Sequence, residues 1–295
     1  MEMRMGAQPG LVDLPVNEGI CFTTKKNKFS EKIKKEQTEI LKRFSPFLKK
    51  VLDPGEEILI AVKATSPMTF LEQFTIGLLI VYVKRCMLIL TNKRILHFPT
   101  RADFSPRQSV AQVPYGDIED IKLSGFLTRM LKMEYRSGKK EKFYYIPSRE
   151  FKKLKTLMPT LPIGIHPSAV LERHHLCPKC IGPLQKSVFS CPNCHLEFKN
   201  LKQGIKLSLL IPGGGYFFAG HPMMGVADGI VETILLIALI SALVSGFASP
   251  HLAATWAAVI PIVFILSLEK MITIYDTKHF INEYIPADKD AALKF

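Results

Sequence analysis

With 295 residues, 47% of them hydrophobic, and a formal net charge of +13, the chain is long enough for about two domains. Six cysteines, four of them crowded into one stretch, exclude a disulfide framework as the source of stability and, as thiolate ligands, call for a reducing compartment. The charge is uneven: residues 1–205 hold 34 Lys or Arg against 19 Asp or Glu, whereas residues 206–295 hold 5 against 7, so the basic part calls for an anionic partner such as lipid headgroups or nucleic acid.

Residues 1–27 mix Pro9, Gly10, Pro15 and Gly19 with short apolar pieces and are expected to form a flexible arm. They lack the cationic start, apolar core and small-residue cleavage site of a secretory leader. Over residues 28–52, Ile33, Leu41, Phe44, Leu48 and Val51 recur near a helical period, and Lys32, Lys35, Lys42, Arg43 and Lys49 occupy the other face. This basic amphipathic helix can lie in a membrane surface or pack on the next domain, and the packed arrangement is the expected one.

Asp53-Pro54-Gly55-Glu56 is a turn, and strand signals follow. Glu57–Ala64, Phe74–Val83, Met87–Leu90, Arg94–Phe98, Val110–Val113, Ile118–Leu123, Leu131–Tyr135 and Lys142–Ile146 read as short strands. Cys86 falls in one of them as a small core residue. Ser148 then opens a helix carrying Phe151, Leu154 and Leu157, which stops before Pro159. Short strands closed by one helix predict a small barrel or sandwich over residues 53–160.

The phrase Leu90-Thr91-Asn92-Lys93-Arg94-Ile95-Leu96, with Val113-Pro114-Tyr115-Gly116-Asp117-Ile118 after it, resembles the bacterial pleckstrin-homology-like (PH-like) domains, related in fold to the GRAM type. The resemblance implies a β-rich PH-like barrel with a C-terminal helix, and a role in contacting lipid, protein or further copies of itself. Lys84, Arg85, Lys93, Arg94, Arg101 and Arg107 fall near the early hairpins, and Lys139, Lys140 and Lys142 near a later one. If these tips share one end, they form a patch for anionic headgroups or a partner.

Cys177-Pro178-Lys179-Cys180 and Cys191-Pro192-Asn193-Cys194 follow. Two C-x-x-C pairs with proline inside each can place four thiolates around one tetrahedral, structural Zn²⁺, and such a closed cage does no chemistry of its own. His174, His175 and His195 flank the pairs, and Phe198 is placed to cover one side of the metal. Residues 174–200 resemble the zinc ribbons found beside membrane segments in many bacterial proteins, which implies a rigid spacer.

Residues 204–275 read as a membrane region. Residues 204–221 are apolar but broken by Pro212-Gly213-Gly214-Gly215, which predicts an interfacial or re-entrant segment. The run from Pro212 to Gly225 resembles the P-G-x-G-x-x-Y-x-G-x-x-x-x-G signature of small bacterial two-helix membrane modules, with Phe218 where tyrosine is usual. Spans are expected at about residues 229–247 and 252–268, the second continuing as helix to about Tyr275, and residues 276–295 read as a solvated tail. The link Ser249-Pro250-His251 carries no fixed charge, which puts both ends and the soluble domains on the cytosolic side of the cytoplasmic membrane. His221, Asp228 and Glu232 are the polar candidates of this region, the two acids set to pair with Lys202 or Lys206 at headgroup level.

The expected whole is multidomain: PH-like barrel, zinc ribbon and α-helical transmembrane hairpin, acting as a membrane-anchored binding or scaffold protein whose partners are membrane lipids, another protein or itself. Nucleic acid fits less well, because the basic half lacks an aromatic stacking stripe or recognition helix. A small transporter or membrane enzyme using His221, Asp228 and Glu232 is the other alternative, while no Ser-His-Asp set, phosphate loop or open metal motif points to a soluble enzyme.

Overall fold

The computed structural model describes residues 13–248 and 252–288. The start of the predicted arm, the Ser249–His251 link and the end of the predicted tail lie outside the described residues. Two compact units are present among the described residues, one holding the chain up to Leu196 together with Asp288 and the other spanning Glu197–Ala287.

In the first unit, strands β1 (Ile58–Thr65), β2 (Arg85–Thr91), β3 (Arg94–Pro99), β4 (Val110–Pro114), β5 (Ile118–Ser124), β6 (Met130–Tyr135), β7 (Lys140–Phe143) and β8 (His174–Leu176) form two sheets. The order is β1-β2-β3-β4-β8 in one and β5-β6-β7 in the other, and every neighbouring pair is antiparallel. β2 and β3 are buried along nearly their whole length because both faces of their sheet are covered. Cys86, Leu88, Leu90 and Ile95 join the core shared with Leu131, Met133, Tyr135 and Phe143 of the smaller sheet and with Phe151, Leu154 and Leu157 of helix α5 (Ser148–Leu157). On the outer face Phe98 meets Phe44 and Phe47 edge-on, ring centres 5.2 and 6.0 Å away.

Those two phenylalanines belong to helix α2 (Glu31–Val51), which runs through Pro46 and buries Ile33, Leu41, Phe44, Phe47, Leu48 and Val51. Gln37 on this helix completes the outer edge of β1. Its Nε2 donates to the Ala61 carbonyl and its Oε1 accepts from the Ala61 amide, both at 2.9 Å, as a neighbouring strand would. The described part of the arm is likewise docked: Pro15 and Asn17 exchange backbone hydrogen bonds with Ile58, and helix α1 (Glu18–Cys21) carries a buried Cys21. Lys153 of α5 then donates to Thr23, Thr24 and Asn27. A flexible arm is therefore replaced over these residues by one that seals a sheet edge.

Two further expectations are corrected. The sheets do not close into a barrel, since Thr65 and Tyr144 form an isolated bridge rather than a continuing ladder between them. Phe74–Val83 is not a strand: helix α3 (Phe70–Ile76), a 3₁₀ turn at Gly77–Leu79 and helix α4 (Ile80–Val83) occupy it. The cause is a capping box at the start, where Thr69 Oγ1 accepts from the Glu72 amide at 3.1 Å and Glu72 Oε2 accepts from the Thr69 amide at 2.7 Å.

The second unit is helical: α6 (Leu201–Leu210), α7 (Gly214–Ala219), α8 (Pro222–Ala248) and α9 (Leu252–Ile281). Among the described residues two helical stretches, Pro222–Gly246 and Thr255–Ile281, are long and apolar enough to cross a membrane. Helix α6 has 10 residues, roughly 15 Å, half a bilayer core. The break after it is made by Gly213 in the left-handed conformation at φ 69°, which other residues enter only with strain. Gly215 has no room for a side chain, because Ser208, Thr273 and Thr277 close over it. Helix α9 continues past the predicted span to Ile281, with Asp276, Thr277, Phe280 and Ile281 buried, so the predicted solvated tail begins as packed helix.

Inside the first unit Glu56 is fully buried beside Arg94, whose Nη2 reaches its Oε2 at 2.7 Å and whose Nε reaches its Oε1 at 3.0 Å. Arg94→Ala strands that carboxylate and is expected to destabilise the unit by about 3–5 kcal/mol. Urea unfolding followed by near-ultraviolet circular dichroism measures it.

Candidate functional site

The four cysteines of the two C-x-x-C pairs converge. Cys177 Sγ lies 3.5 Å from Cys194 Sγ, Cys180 Sγ lies 3.5 Å from Cys191 Sγ, and all four fall within 4.8 Å of one another. Tetrahedral thiolates at ~2.3 Å from a metal sit about 3.8 Å apart, so the donor set has the size of a four-sulfur metal site and no pair is a disulfide. Two matching backbone turns build it. Cys177 donates to the Gly182 carbonyl and Ile181 to the Cys177 carbonyl, both at 2.8 Å; Cys191 donates to the Leu196 carbonyl at 2.9 Å and His195 to the Cys191 carbonyl at 3.0 Å. Ile181 and His195 stand at equivalent places with φ of 60° and 55°. His195 is thereby a turn residue rather than a ligand, and His174 is engaged by Gln112 Nε2 at 2.7 Å. Phe198 falls in the second unit, packed edge-on against Tyr284.

The cysteine module grows out of the PH-like sheet. β8 pairs with β4 through Val110–Leu176, Ala111–His175 and Gln112–His174, and on its other side Leu184 donates to the His175 carbonyl at 2.9 Å. Just before β8, Arg173 forks onto Glu141 of β7, Nε to Oε2 at 2.8 Å and Nη2 to Oε1 at 3.0 Å, and the Tyr135 hydroxyl donates to the same carboxylate at 2.7 Å. Burial pushes the Glu141 carboxyl up, but Arg173, Lys139 and Tyr135 outweigh it and hold the group well below the usual carboxylate range.

Ser66 Oγ lies 2.9 Å from His97 Nε2 in the same interior, a pairing sequence reading did not find. It has the wrong polarity for nucleophile activation. Burial keeps His97 neutral, and Arg173 Nη1 donates to its Nδ1 at 3.3 Å. The ring proton therefore sits on Nε2 and points at the hydroxyl.

The basic residues picked from the sequence are distributed over two ends of the domain. Lys84 and Arg85 stand where β2 begins, and Lys93 and Arg94 where it turns into β3, a strand length of roughly 20 Å away. Lys139 and Lys140 follow the β6 end that neighbours Asp117, Arg136 donating there at 2.9 Å. Lys84 is buried against Glu72 and donates to the Pro67 carbonyl at 3.1 Å, and Arg94 is committed to Glu56. Lys139 faces Glu141 and Glu172, Lys140 faces Glu134, Lys93 reaches the Pro54 carbonyl at 3.0 Å, and Lys142 is exposed.

In the helical unit Asp228 and Glu232 are joined by Glu269, one oxygen of each lying within 4.8 Å of the others. The cation here is Lys270, not Lys202 or Lys206. Its Nζ is 2.5 Å from Glu232 Oε1 and 2.5 Å from the Ser208 carbonyl. Glu232 Oε2 also accepts from the Gly213 amide at 3.2 Å, and Thr273 Oγ1 donates to Glu269 at 2.6 Å. His221 stands apart, its ring 4.1 Å from that of Phe280. Sequence reading ended the second span at Leu268 and so missed Glu269 and Lys270. The signal available was the Glu-Lys pair directly after an apolar run.

Two sheets packed over one core, with α5 filling it, define a PH-like domain carrying a four-cysteine cluster, in a chain that also holds two long apolar helices. Residues 52–158 match the family model of the bacterial PH domain. Among solved structures, the crystal structure of the C-terminal domain of an unknown protein from Leishmania infantum is similar over 41% of this chain and 93% of that one, at 13% identity and a TM-score of 0.27. No curated protein matches the chain.

Two outcomes are expected. The purified chain carries one equivalent of metal by plasma mass spectrometry, released by a thiol-blocking mercurial, and Cys191→Ser loses it. Because Glu141 is depressed in the folded state, its contribution is fully present above the ordinary glutamate pKa of about 4.3 and is lost as pH falls towards its folded value. The urea midpoint should drop steeply below about pH 4, and Glu141→Gln, less stable at neutral pH, should show a flatter acid limb.

Proposed function

We propose that the chain is a membrane-anchored binding protein: α8 and α9 form a transmembrane hairpin in the cytoplasmic membrane, and the PH-like domain faces the cytosol and contacts anionic lipid or a protein delivered to that surface. The observation that carries this reading is a bacterial PH domain over residues 52–158 in one chain with two helices long and apolar enough to span a bilayer. The uncharged link Ser249-Pro250-His251 and the excess of Lys and Arg before residue 206 support the orientation. Zn²⁺ is the metal proposed for the four thiolates, since soft sulfur donors in a closed tetrahedron suit it and its role is structural. An anchored domain meets its surface at high local concentration, so weak affinity suffices.

A second reading, a small ion- or proton-handling membrane protein, is favoured by the Asp228–Glu232–Glu269 group, in which Glu232 pairs with Lys270. Neutral replacement of Asp228 and Glu232 separates the two readings. A membrane activity abolished by both replacements belongs to the second.

For the first reading, the full chain should remain with membranes after alkaline carbonate washing. Residues 1–196 alone should sediment with anionic vesicles and not with neutral ones, less so as salt rises. Release by carbonate removes the anchor from the proposal. Failure to sediment with either vesicle directs the domain to a protein partner.

A further inference from the structure

One end of the PH-like domain is apolar where the rest of its surface is polar. Between β1 and β2 the inserted α3–α4 segment exposes Phe70 at 83% and Phe74 at 78%, with Leu71, Leu79 and Tyr82 about half exposed. On the β5–β6 turn, Phe126 and Leu127 are 91% and 88% exposed. Residues of this size are not left in water without a use when they cluster.

The strand register brings these two elements to the same end. Thr65, the last residue of β1, pairs with Arg85, the first of β2, and bridges to Tyr144, while the Arg129 carbonyl just after the β5–β6 turn accepts from Ile146 at 3.1 Å. The β3–β4 loop arrives there too, since Cys86 pairs with Pro99 and Arg85 donates to the Ala102 carbonyl. Its Phe104 lies under Lys63 and Arg85, 5.1 and 4.8 Å from the ring centre, and Arg85 also covers Tyr82 at 4.5 Å.

Charge selects the occupant. Once the buried Lys84–Glu72 pair is set aside, the three loops, residues 66–84, 100–109 and 125–129, carry Arg101, Arg107 and Arg129 against Asp103 alone. Apolar tips ringed by cations fit a surface that is greasy below and anionic above. Arginine and lysine stems lie along the apolar layer while their heads stay at the phosphates. A protein groove would satisfy the phenylalanines equally well, but the excess of cations around them is what an anionic leaflet rewards.

We infer that this end of the PH-like domain is a membrane wedge: Phe70, Phe74, Phe126 and Leu127 enter the headgroup region of an anionic bilayer, with Lys63, Arg85, Arg101 and Arg129 at phosphate level. The inference rests on the membrane-anchored reading above and adds that the domain touches lipid through apolar insertion, at the end opposite Lys93 and Lys139.

The test uses the full chain in vesicles of equal phosphatidylglycerol and phosphatidylcholine, with bromine on the acyl chains. The native Trp256, read first in the unaltered protein, reports on the hairpin. In a W256F background, F74W and F126W are then read separately, with S137W at the far turn as control. Both wedge reporters should be blue-shifted and quenched by brominated chains, while S137W stays quenchable by aqueous iodide. If Trp256 is quenched and the two wedge reporters behave like S137W, the wedge is overturned and the anchor stands. Wedge reporters that are blue-shifted yet untouched by bromine indicate a protein interface and overturn it as well. An unquenched Trp256 overturns the anchor and the wedge with it.

Discussion

A carboxylate can be taken out of water only if something of opposite charge goes with it, and the Glu56–Arg94 pair turns that constraint into architecture. Arg94 also donates to the Val51 carbonyl at 2.7 Å, where α2 ends, and Thr91 Oγ1 donates to Glu56 at 2.7 Å. The Tyr115 hydroxyl in turn closes on the Thr91 carbonyl at 2.8 Å. One buried pair thus fixes the exit of the helix, the turn at residues 53–56, the β2–β3 hairpin and the passage between the two sheets. Burial alone would raise the Glu56 carboxyl, yet the Arg94, Asp53 and Thr91 hydrogen bonds bring it below its ordinary value. A hairpin held this firmly at one end leaves the opposite end of β2 free to carry a large insertion.

Much of this was legible in the residues. Alternation and turn chemistry located seven of the strands and α5, and the period of α2 told which face would be buried. The four cysteines were legible because their spacing has few other uses. What could not be read were the features set by tertiary pairing. Phe74–Val83 has the composition of a strand, and only the Thr69–Glu72 box marks it as helix. Arg94 looks like any surface arginine until Glu56 is seen beneath it. The docking of Pro15–Thr23 depends on an open β1 edge, which no local pattern announces.

The helical unit follows a different economy. A buried backbone break needs a partner, so the left-handed Gly213 is answered by Glu232, and the Ser208 carbonyl near the end of α6 by Lys270. The Tyr216 hydroxyl reaches Asp276 at 2.8 Å on the extended part of α9. Glu232, one of the functional candidates, therefore also holds the broken helix in place. At the base of the unit, Lys199 donates to the Ile285 carbonyl at 3.0 Å and Ala287 to the Glu197 carbonyl at 2.9 Å, so its first and last residues close on each other.

β8 belongs to two structures at once, the outermost strand of the PH-like sheet and the first arm of the cysteine cluster. Only three residues long, it is too short to hold its place by ladder bonds alone, and the four-cysteine cluster begins directly after it. Whatever opened the four-cysteine cluster would loosen more than a small appendage. It would uncover the backbone of Val110–Gln112, a bare strand edge open to addition by another chain. The four sulfurs gathered directly after Leu176 thus sit beside a sheet edge as well as at the centre of their own module.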